Sequence, residues 1–321
     1  MPRQPRLDAP GALHHVIVRG IEQREIVRDN KDRDEFVSRM GKVSTGTDTD
    51  IFAWALMDNH AHILLRSGTI GLSTFMRRFL SGYASYFNRT HKRHGHLFQN
   101  RYKSIICEEQ PYFLELVRYI HLNPLRAGRV ESYSKLAHYA YSGHSTILNP
   151  GKHPWMKRKY VLEYFDKSEE KALQAYNDFV NRGIEEGHRP DLVGGGLIRS
   201  QGGWENVKEM RRQGKREKSD ERILGRSEFV ESLLIESNQF RKNQLSTLVN
   251  PVKIDELIKK VCREESISLE ALISGNRRRQ ISTVRSRLAK ILVEEMGLTL
   301  TATGQYLGVS PSAIAKSIRD T

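Results

Sequence analysis

Cysteine is nearly absent. The two present, Cys107 and Cys262, lie far apart with no CxxC spacing, so neither a disulfide framework nor a zinc ribbon organises the chain. Long apolar runs are missing too, and Met1-Pro2-Arg3-Gln4-Pro5-Arg6 lacks the apolar stretch of a signal peptide; a soluble, cytoplasmic protein with no membrane partner is expected. Glycines cluster at Gly194-Gly195-Gly196 and Gly202-Gly203, but no Gly-Lys-Ser/Thr follows, which excludes a P-loop and leaves a turn or linker. Acidic residues are in the minority. Lys and Arg total 52 against 38 Asp and Glu, a formal charge of +14 with a pI near 9.7, which favours a polyanionic partner such as DNA. The 38% hydrophobic content of the 321 residues suffices for cores, and the length suggests two domains.

A histidine pair is the most informative feature present. Ile51 to Met57 is an apolar run, Asp58-Asn59 has hairpin-turn chemistry, and apolar residues resume at His60-Ala61-His62-Ile63-Leu64-Leu65. Period-two alternation sends His60, His62, Leu64 and Arg66 to one face of the second strand, and Ala61, Ile63 and Leu65 to the other. Two imidazoles side by side on a rigid strand are half of a metal site. Downstream, Pro111 suits a first helical turn, Leu114, Leu116, Val117 and Ile120 form an apolar side, and Gly128 can close the helix. Tyr119 and Asn123 are four apart on it, hence on one face: a nucleophile, and one turn on an amide oxygen to complete a site with the histidines.

His-x-His after a short turn, followed by Arg118-Tyr119-Ile120-His121-Leu122-Asn123-Pro124-Leu125-Arg126-Ala127-Gly128 on a helix, resembles the single-tyrosine transposases of the HUH class, in particular the REP-associated tyrosine transposases. Gly11-Ala12-Leu13-His14-His15-Val16-Ile17-Val18-Arg19-Gly20 resembles that family's opening strand, and Gly95-His96-Leu97-Phe98-Gln99-Asn100-Arg101-Tyr102-Lys103 its mid-domain motif. The resemblance spans roughly residues 8–145. It implies an α+β fold, an antiparallel sheet with packed helices, and a metal-dependent single-stranded DNA endonuclease and strand transferase acting at hairpin-forming repeats, with duplex flanking them in some substrates, as a monomer or homodimer. On this reading His60, His62 and Asn123 hold one divalent ion, Mg2+ or Mn2+, and Tyr119 attacks phosphorus to form a 5′-phosphotyrosine, releasing a 3′-hydroxyl that can later rejoin. Gln99, Arg101 and Lys103 are DNA contacts by family position, and Arg118 and Arg126 would balance phosphate charge. His14 or His15 could line the site, His121 faces away from Tyr119, and His91, His94 and His96 are either phosphate contacts or simply exposed. Two other readings stay open: a domesticated, non-cleaving regulator that binds repeat DNA, and a metal-dependent hydrolase with water as nucleophile.

The organisation reads as a catalytic domain over 1–150, a helical and basic connector over 151–225, and a DNA-reading domain over 226–321. In the first, strands are expected near 12–19 and 101–107, a hairpin near 50–66, and helices near 30–43, 71–90 and 111–126. Phe75, Phe79, Tyr83, Tyr86 and Phe87 alternate with Arg77, Arg78 and Arg89, as for stacking on unpaired bases, but the four-residue spacing of Phe75, Phe79 and Tyr83 favours a core face. The connector holds an amphipathic helix over 169–187 and the charge run Lys208 to Arg222. In the last third, a helix over 281–296 follows the cationic run Arg277-Arg278-Arg279. After it, Gly308-Val309-Ser310 separates two short helices, with Ser310 as N-cap and Pro311 in the first turn. This all-α helix-turn-helix arrangement resembles the carboxyl-terminal DNA-binding domain of the replication initiator DnaA, although Ser310-Pro311-Ser312-Ala313-Ile314-Ala315-Lys316 departs from that family's second-helix signature. Arg277, Arg278, Arg279, Ser312 and Lys316 are the DNA contacts expected there; a helical hairpin for protein contact is the alternative.

Overall fold

The apolar runs on either side of Asp58-Asn59 form the expected hairpin. β2 (Asp50–Leu56) and β3 (His60–Arg66) pair antiparallel, with a bulge between Ile51 and Ala53. Neither turn residue has a positive φ, so the turn is not one of the left-handed types that hold themselves. It is held from outside. Arg33 and Arg129 each place a guanidinium nitrogen 2.6 Å from the Asp58 carboxylate, and the Ile26 and Val27 amides donate to the Asp58 carbonyl.

These elements belong to a computed structural model that describes residues 7–99, 102–187, 189–193, 219–248, 251–276, 278–296, 298 and 300–319. The chain divides into two compact units, Met1–Ser237 and Asn238–Thr321. In the first, β1 (Leu13–Arg19) lies between β3 and β4 (Lys103–Cys107), antiparallel to both. A two-residue strand, β5 (Ile223–Leu224), adds to β4 in parallel, giving the order β2-β3-β1-β4-β5. This edge lies just past the charge run; two apolar residues are too few to show a period, but both are fully buried, beside Ile106 and Val230. Of the connector, residues 194–218, with both glycine clusters, lie outside the described residues.

Both faces of the sheet are covered. On β3, His62 and Leu64 are buried, and so are Ala61, Ile63 and Leu65. α1 (Asn30–Thr45), capped by the Asp29 carboxylate, packs on α2 (Leu72–Thr90), where Phe36 meets Phe79 and Tyr83 at ring separations of 4.8 and 5.0 Å. Phe75, Phe79, Tyr83 and Phe87 are fully buried, so these aromatics are core and not a platform for bases. α3 (Glu109–Arg126) lies along β2 and β3, with Phe113 against Phe52 at 5.3 Å. Arg66 at the end of β3 anchors its first turn, donating to both Glu109 carboxylate oxygens at 2.7 and 2.8 Å.

The connector is less separate than its sequence suggests. α4 (Tyr133–Leu136) and α5 (Gly143–Leu148) are followed by α6 (Arg158–Glu163) and α7 (Glu169–Arg182). α6 and α7 place Val161, Leu162, Ala172, Tyr176 and Val180 in the same core as the sheet. The buried Tyr176 hydroxyl lies 2.8 Å from His121 Nδ1 of α3 and 2.7 Å from His144 Nδ1 of α5, so His121 is structural, as expected.

The second unit follows α8 (Ser227–Leu248), which spans the division. It contains α9 (Pro251–Glu264), α10 (Leu269–Ile273), α11 (Arg279–Lys290), α12 (Leu300–Leu307) and α13 (Pro311–Arg319). The helix expected over 281–296 starts at Arg279, and past Lys290 it widens into a π turn over Ile291–Glu295. Val284, Leu288, Leu292, Leu307 and Ile314 share one core. The turn between α12 and α13 requires glycine: Gly308 has φ +66, and a Cβ there would stand 1.7 Å from the Ile273 carbonyl oxygen. Ser310 Oγ caps α13 by accepting from the Ala313 amide at 3.2 Å. Among the described residues, no helix is long and apolar enough to cross a membrane.

Tyr176→Phe removes one hydroxyl that serves two buried imidazoles. It is expected to destabilise the first unit by about 1–3 kcal/mol, the cost of leaving buried polar atoms unpaired. Urea unfolding followed by tryptophan fluorescence measures this, and an unchanged midpoint would mean that apolar packing alone holds α7.

Candidate active site

The seam between the sheet and α3 collects the chemistry. Pairing sets Ile17 opposite His62 and His15 opposite Leu64, so His15 is the diagonal neighbour of His62 on the same face. Their rings stack with centroids 5.1 Å apart, and His60 meets His62 edge-on at 5.4 Å. Across the seam, the Tyr119 ring stands edge-on to both His62, at 5.7 Å, and His15, at 5.9 Å. Of the two histidines on β1, His15 lines the site; His14 points the other way and bonds Ser104 Oγ at 3.0 Å.

α3 is shaped to deliver these groups. Pro124 has no N–H for the Ile120 carbonyl and loosens the last turn. The helix then closes in a Schellman arrangement: Gly128 at φ +65, its amide on the Leu125 carbonyl, and the Arg129 amide on the Pro124 carbonyl at 2.8 Å. The Asn123 side-chain nitrogen donates to the Tyr119 carbonyl at 2.9 Å, which leaves its amide oxygen as the unspent end. Arg126, one turn further, sets its guanidinium 5.6 Å from the centre of the Tyr119 ring. One of its nitrogens donates to the Gly183 carbonyl at 3.0 Å, while Nε and the other terminal nitrogen are buried with no partner. A cation with unspent donors beside a phenol is suited to a phosphate oxygen.

Burial, with the nearby charges of Arg19 and Lys103, disfavours protonation of the imidazoles. Burial holds the His15 and His60 imidazoles down at about 4, and His62 well below its ordinary value. Tyr119 is only 7% exposed. Burial raises its pKa above the ordinary tyrosine value, against the opposing pull of Arg126 and Asn123. Neutral imidazoles are the form that ligates metals, and two of them with an amide oxygen match the mixed nitrogen and oxygen preference of Mn2+ better than that of Mg2+. Among the described residues, no group of three or more His, Cys, Asp or Glu is arranged to hold a metal ion. His60, His62 and Asn123 offer nitrogen and oxygen donors of the kind a divalent ion takes.

Residues 11–123 match the family described as IS200-like transposases. Over those residues the chain carries this family's domain. The match takes in β1 through Asn123, and so contains His15, His60, His62, Tyr119 and Asn123. No curated protein matches the chain. Among solved structures, that of a REP-associated tyrosine transposase bound to a REP hairpin is similar at 18% identity, over 48% of this chain and 90% of the other, with a TM-score of 0.39.

The DNA contacts expected of the transposase domain fare differently. Gln99 is exposed, its amide bonded to the Arg19 carbonyl, and Arg101 lies outside the described residues. Lys103 is exposed on β4, with Nζ donating to the Val193 carbonyl at 2.6 Å. Arg118 is the exception. It is buried, ion-paired to Glu115 at 2.7 Å and Glu186 at 2.5 Å, and laid over the Phe179 ring, so it clamps α3 to the segment after α7 and has no face for DNA. Glu115, three residues earlier on the same helix, is within reach by spacing alone, but nothing in the sequence pointed to Glu186, far along the chain. In the second unit, Arg278, Arg279, Ser312 and Lys316 are exposed, while Arg277 lies outside the described residues. The Leu192 carbonyl, 3.0 Å from His15 Nδ1, had no sequence signal, because a backbone group carries none.

Arg118→Ala is expected to lower the stability of the first unit by about 1–3 kcal/mol, as loss of charged hydrogen bonds does. DNA affinity should stay unchanged at temperatures where the variant is folded. Thermal unfolding and fluorescence anisotropy on the same preparation check this; weaker DNA binding with an unchanged Tm would return Arg118 to the DNA surface.

Proposed function

We propose that this transposase-family protein cuts and rejoins single-stranded DNA at hairpin-forming repeats, with Tyr119 as the nucleophile, and that its second unit adds affinity for flanking DNA. The observation that carries this reading is the Tyr119 ring packed edge-on against His62, with the unpartnered donors of Arg126 beside it. A protein that only binds DNA has no use for a nucleophile buried against a metal-ligand pair. A nucleophile this buried also favours an unpaired substrate, since a single strand can bend a phosphate into the seam where a stiff duplex cannot.

His60 and His62, through Nε2, and Asn123, through its amide oxygen, would hold the divalent ion, which supplies Lewis-acid polarisation of the scissile phosphate. Arg126 neutralises charge on a non-bridging oxygen as the phosphorus becomes five-coordinate. The Tyr119 oxygen bonds to phosphorus, the bond from phosphorus to the 3′ oxygen breaks, and that oxygen takes up a proton as a 3′-hydroxyl. The 5′-phosphotyrosine preserves the ester, so attack by a 3′-hydroxyl reverses the step and joins strands. A water-nucleophile hydrolase would leave no such adduct.

Incubation with a hairpin oligonucleotide and Mn2+, followed by denaturing electrophoresis, tests the proposal. The wild type should give a covalent protein–DNA adduct. Tyr119→Phe should give none while binding the oligonucleotide as before, and His60→Ala or His62→Ala should lose adduct and Mn2+ dependence together. Cleavage by Tyr119→Phe at the wild-type rate would end the tyrosine mechanism.

The pH dependence follows from the raised tyrosine pKa. The reactive phenolate is the deprotonated form, so single-turnover cleavage should climb with pH, with no plateau below about 10. A plateau near neutrality would mean that Tyr119 is not the group losing the proton.

Truncation after residue 237 should remove the cationic contacts of Arg278, Arg279 and Lys316 but leave the cleavage chemistry intact at high oligonucleotide concentration. Because phosphate contacts release counterions, full-length protein should lose affinity more steeply with added salt than the truncated form. Equal slopes on duplex-flanked hairpin DNA would make the second unit a protein-contact module.

A further inference from the structure

Behind His62 runs a chain of two hydrogen bonds that no step of the cleavage chemistry uses. His15 Nδ1 lies 3.0 Å from the Leu192 carbonyl oxygen, and His15 Nε2 lies 2.9 Å from His62 Nδ1. All of it is out of solvent: His15 is fully buried, His62 is 4% exposed and Leu192 is 1% exposed. A carbonyl oxygen only accepts, so His15 must carry its hydrogen on Nδ1. In a neutral ring Nε2 is then an acceptor, and His62 must donate to it from Nδ1. The only nitrogen of His62 left with a lone pair is Nε2. His60 arrives at the same form by a shorter route, its Nδ1 being 2.6 Å from the Asn59 side-chain oxygen, which also accepts. Both strand histidines thus present the same nitrogen, although their supports differ.

We infer that His15 is a positioning residue, which sets the tautomer and ring orientation of His62 so that this imidazole offers Nε2 as a metal ligand. The direction of the chain is fixed at its far end by the backbone of the segment after α7. That segment is itself held down, by Arg189 on Glu115, Glu186 and Asp191, and by Lys103 on the Val193 carbonyl. The inference rests on the reading of His60 and His62 as metal ligands. Support of a ligating imidazole through its second nitrogen is a general requirement of such sites, and its loss lowers metal affinity about 10–100-fold. Here another imidazole provides it.

Two amides of similar size separate this role from mere space-filling. In His15→Gln the amide oxygen can stand where Nε2 stands and still accept from His62. In His15→Asn the amide reaches only as far as Nδ1, so the contact toward Leu192 survives and the acceptor for His62 is lost. Long-range 1H–15N spectra of metal-free protein labelled with 15N-histidine read the tautomer, the His62 signals being assigned by their loss in His62→Ala. Calorimetric titration with Mn2+ reads the affinity. The wild type should show His62 with its hydrogen on Nδ1. His15→Gln should keep that form and bind Mn2+ nearly as well, whereas His15→Asn should shift His62 toward Nε2–H and bind Mn2+ about 10–100-fold more weakly. An Nε2–H His62 in the wild type overturns the inference without recourse to any variant. Equal tautomers and equal Mn2+ affinities for the Asn and Gln variants overturn it as well. A wild type that shows the Nδ1–H form yet binds no Mn2+ upholds the relay and overturns the metal-site reading instead.

Discussion

Everything at the site depends on a dry seam between one face of the sheet and α3. Packing α3 onto β2 and β3, through Phe113 on Phe52 and through Arg66 on Glu109, closes a space in which the imidazoles of His15 and His62, a phenol and an amide are removed from water, with His60 half-buried at its edge. Such groups are costly to bury unless they are neutral or paired. The seam meets this demand by keeping the histidines uncharged and bonding their rear nitrogens, while Arg126 keeps two buried donors unspent beside Tyr119. The same desolvation that keeps the imidazoles neutral makes Tyr119 a reluctant acid. One environment sets both properties, and neither can be tuned without moving the other.

Local patterns made most of the first unit legible. Alternation around Asp58-Asn59 placed β2 and β3, and a helical face carrying Tyr119 and Asn123 placed α3, with strand and helix ends falling within a few residues of expectation. The helix-capping signals at Gly128 and Ser310 worked because they are local physics: a left-handed residue at one end and a hydroxyl acceptor at the other. Legibility failed where a partner lies far along the chain. Alternation shows that His14 and His15 face opposite ways, but which of them lines the site depends on how β1 registers against β3, and α1 and β2 intervene between those strands. Arg118 reads as an available cation until Glu186 comes beside it from beyond α7. β5 is too short to have a period at all.

The placement of the domain boundary follows from the same distinction. The amphipathic pattern over 169–187 shows that the helix has an apolar side but not what that side meets; Tyr176 of α7 is fully buried and its hydroxyl serves imidazoles from both α3 and α5. Ala172 and Val180 join it in the core of the sheet. The unit that contains the transposase match therefore runs well beyond Asn123, and the residues after the match take part in the site: the Gly183 carbonyl positions Arg126, and the Leu192 carbonyl orients His15.

This has a consequence for how the two halves of the proposed activity are separated. The groups assigned to bond breaking, and the backbone groups that hold them, all lie before residue 194, inside one cooperative core. The exposed cations Arg278, Arg279 and Lys316 lie in a unit with a hydrophobic core of its own, centred on Val284, Leu288, Leu292 and Ile314. On the proposed function, affinity for flanking DNA and strand chemistry would then rest on separate cores, and changes to one would add to changes in the other. Within the first unit no such freedom exists. A change at β1 or after α7 reaches the histidines through hydrogen bonds to His15, and a change in α3 moves Tyr119, Asn123 and Arg126 together. The seam is thus the part of this protein where one change reaches every other group.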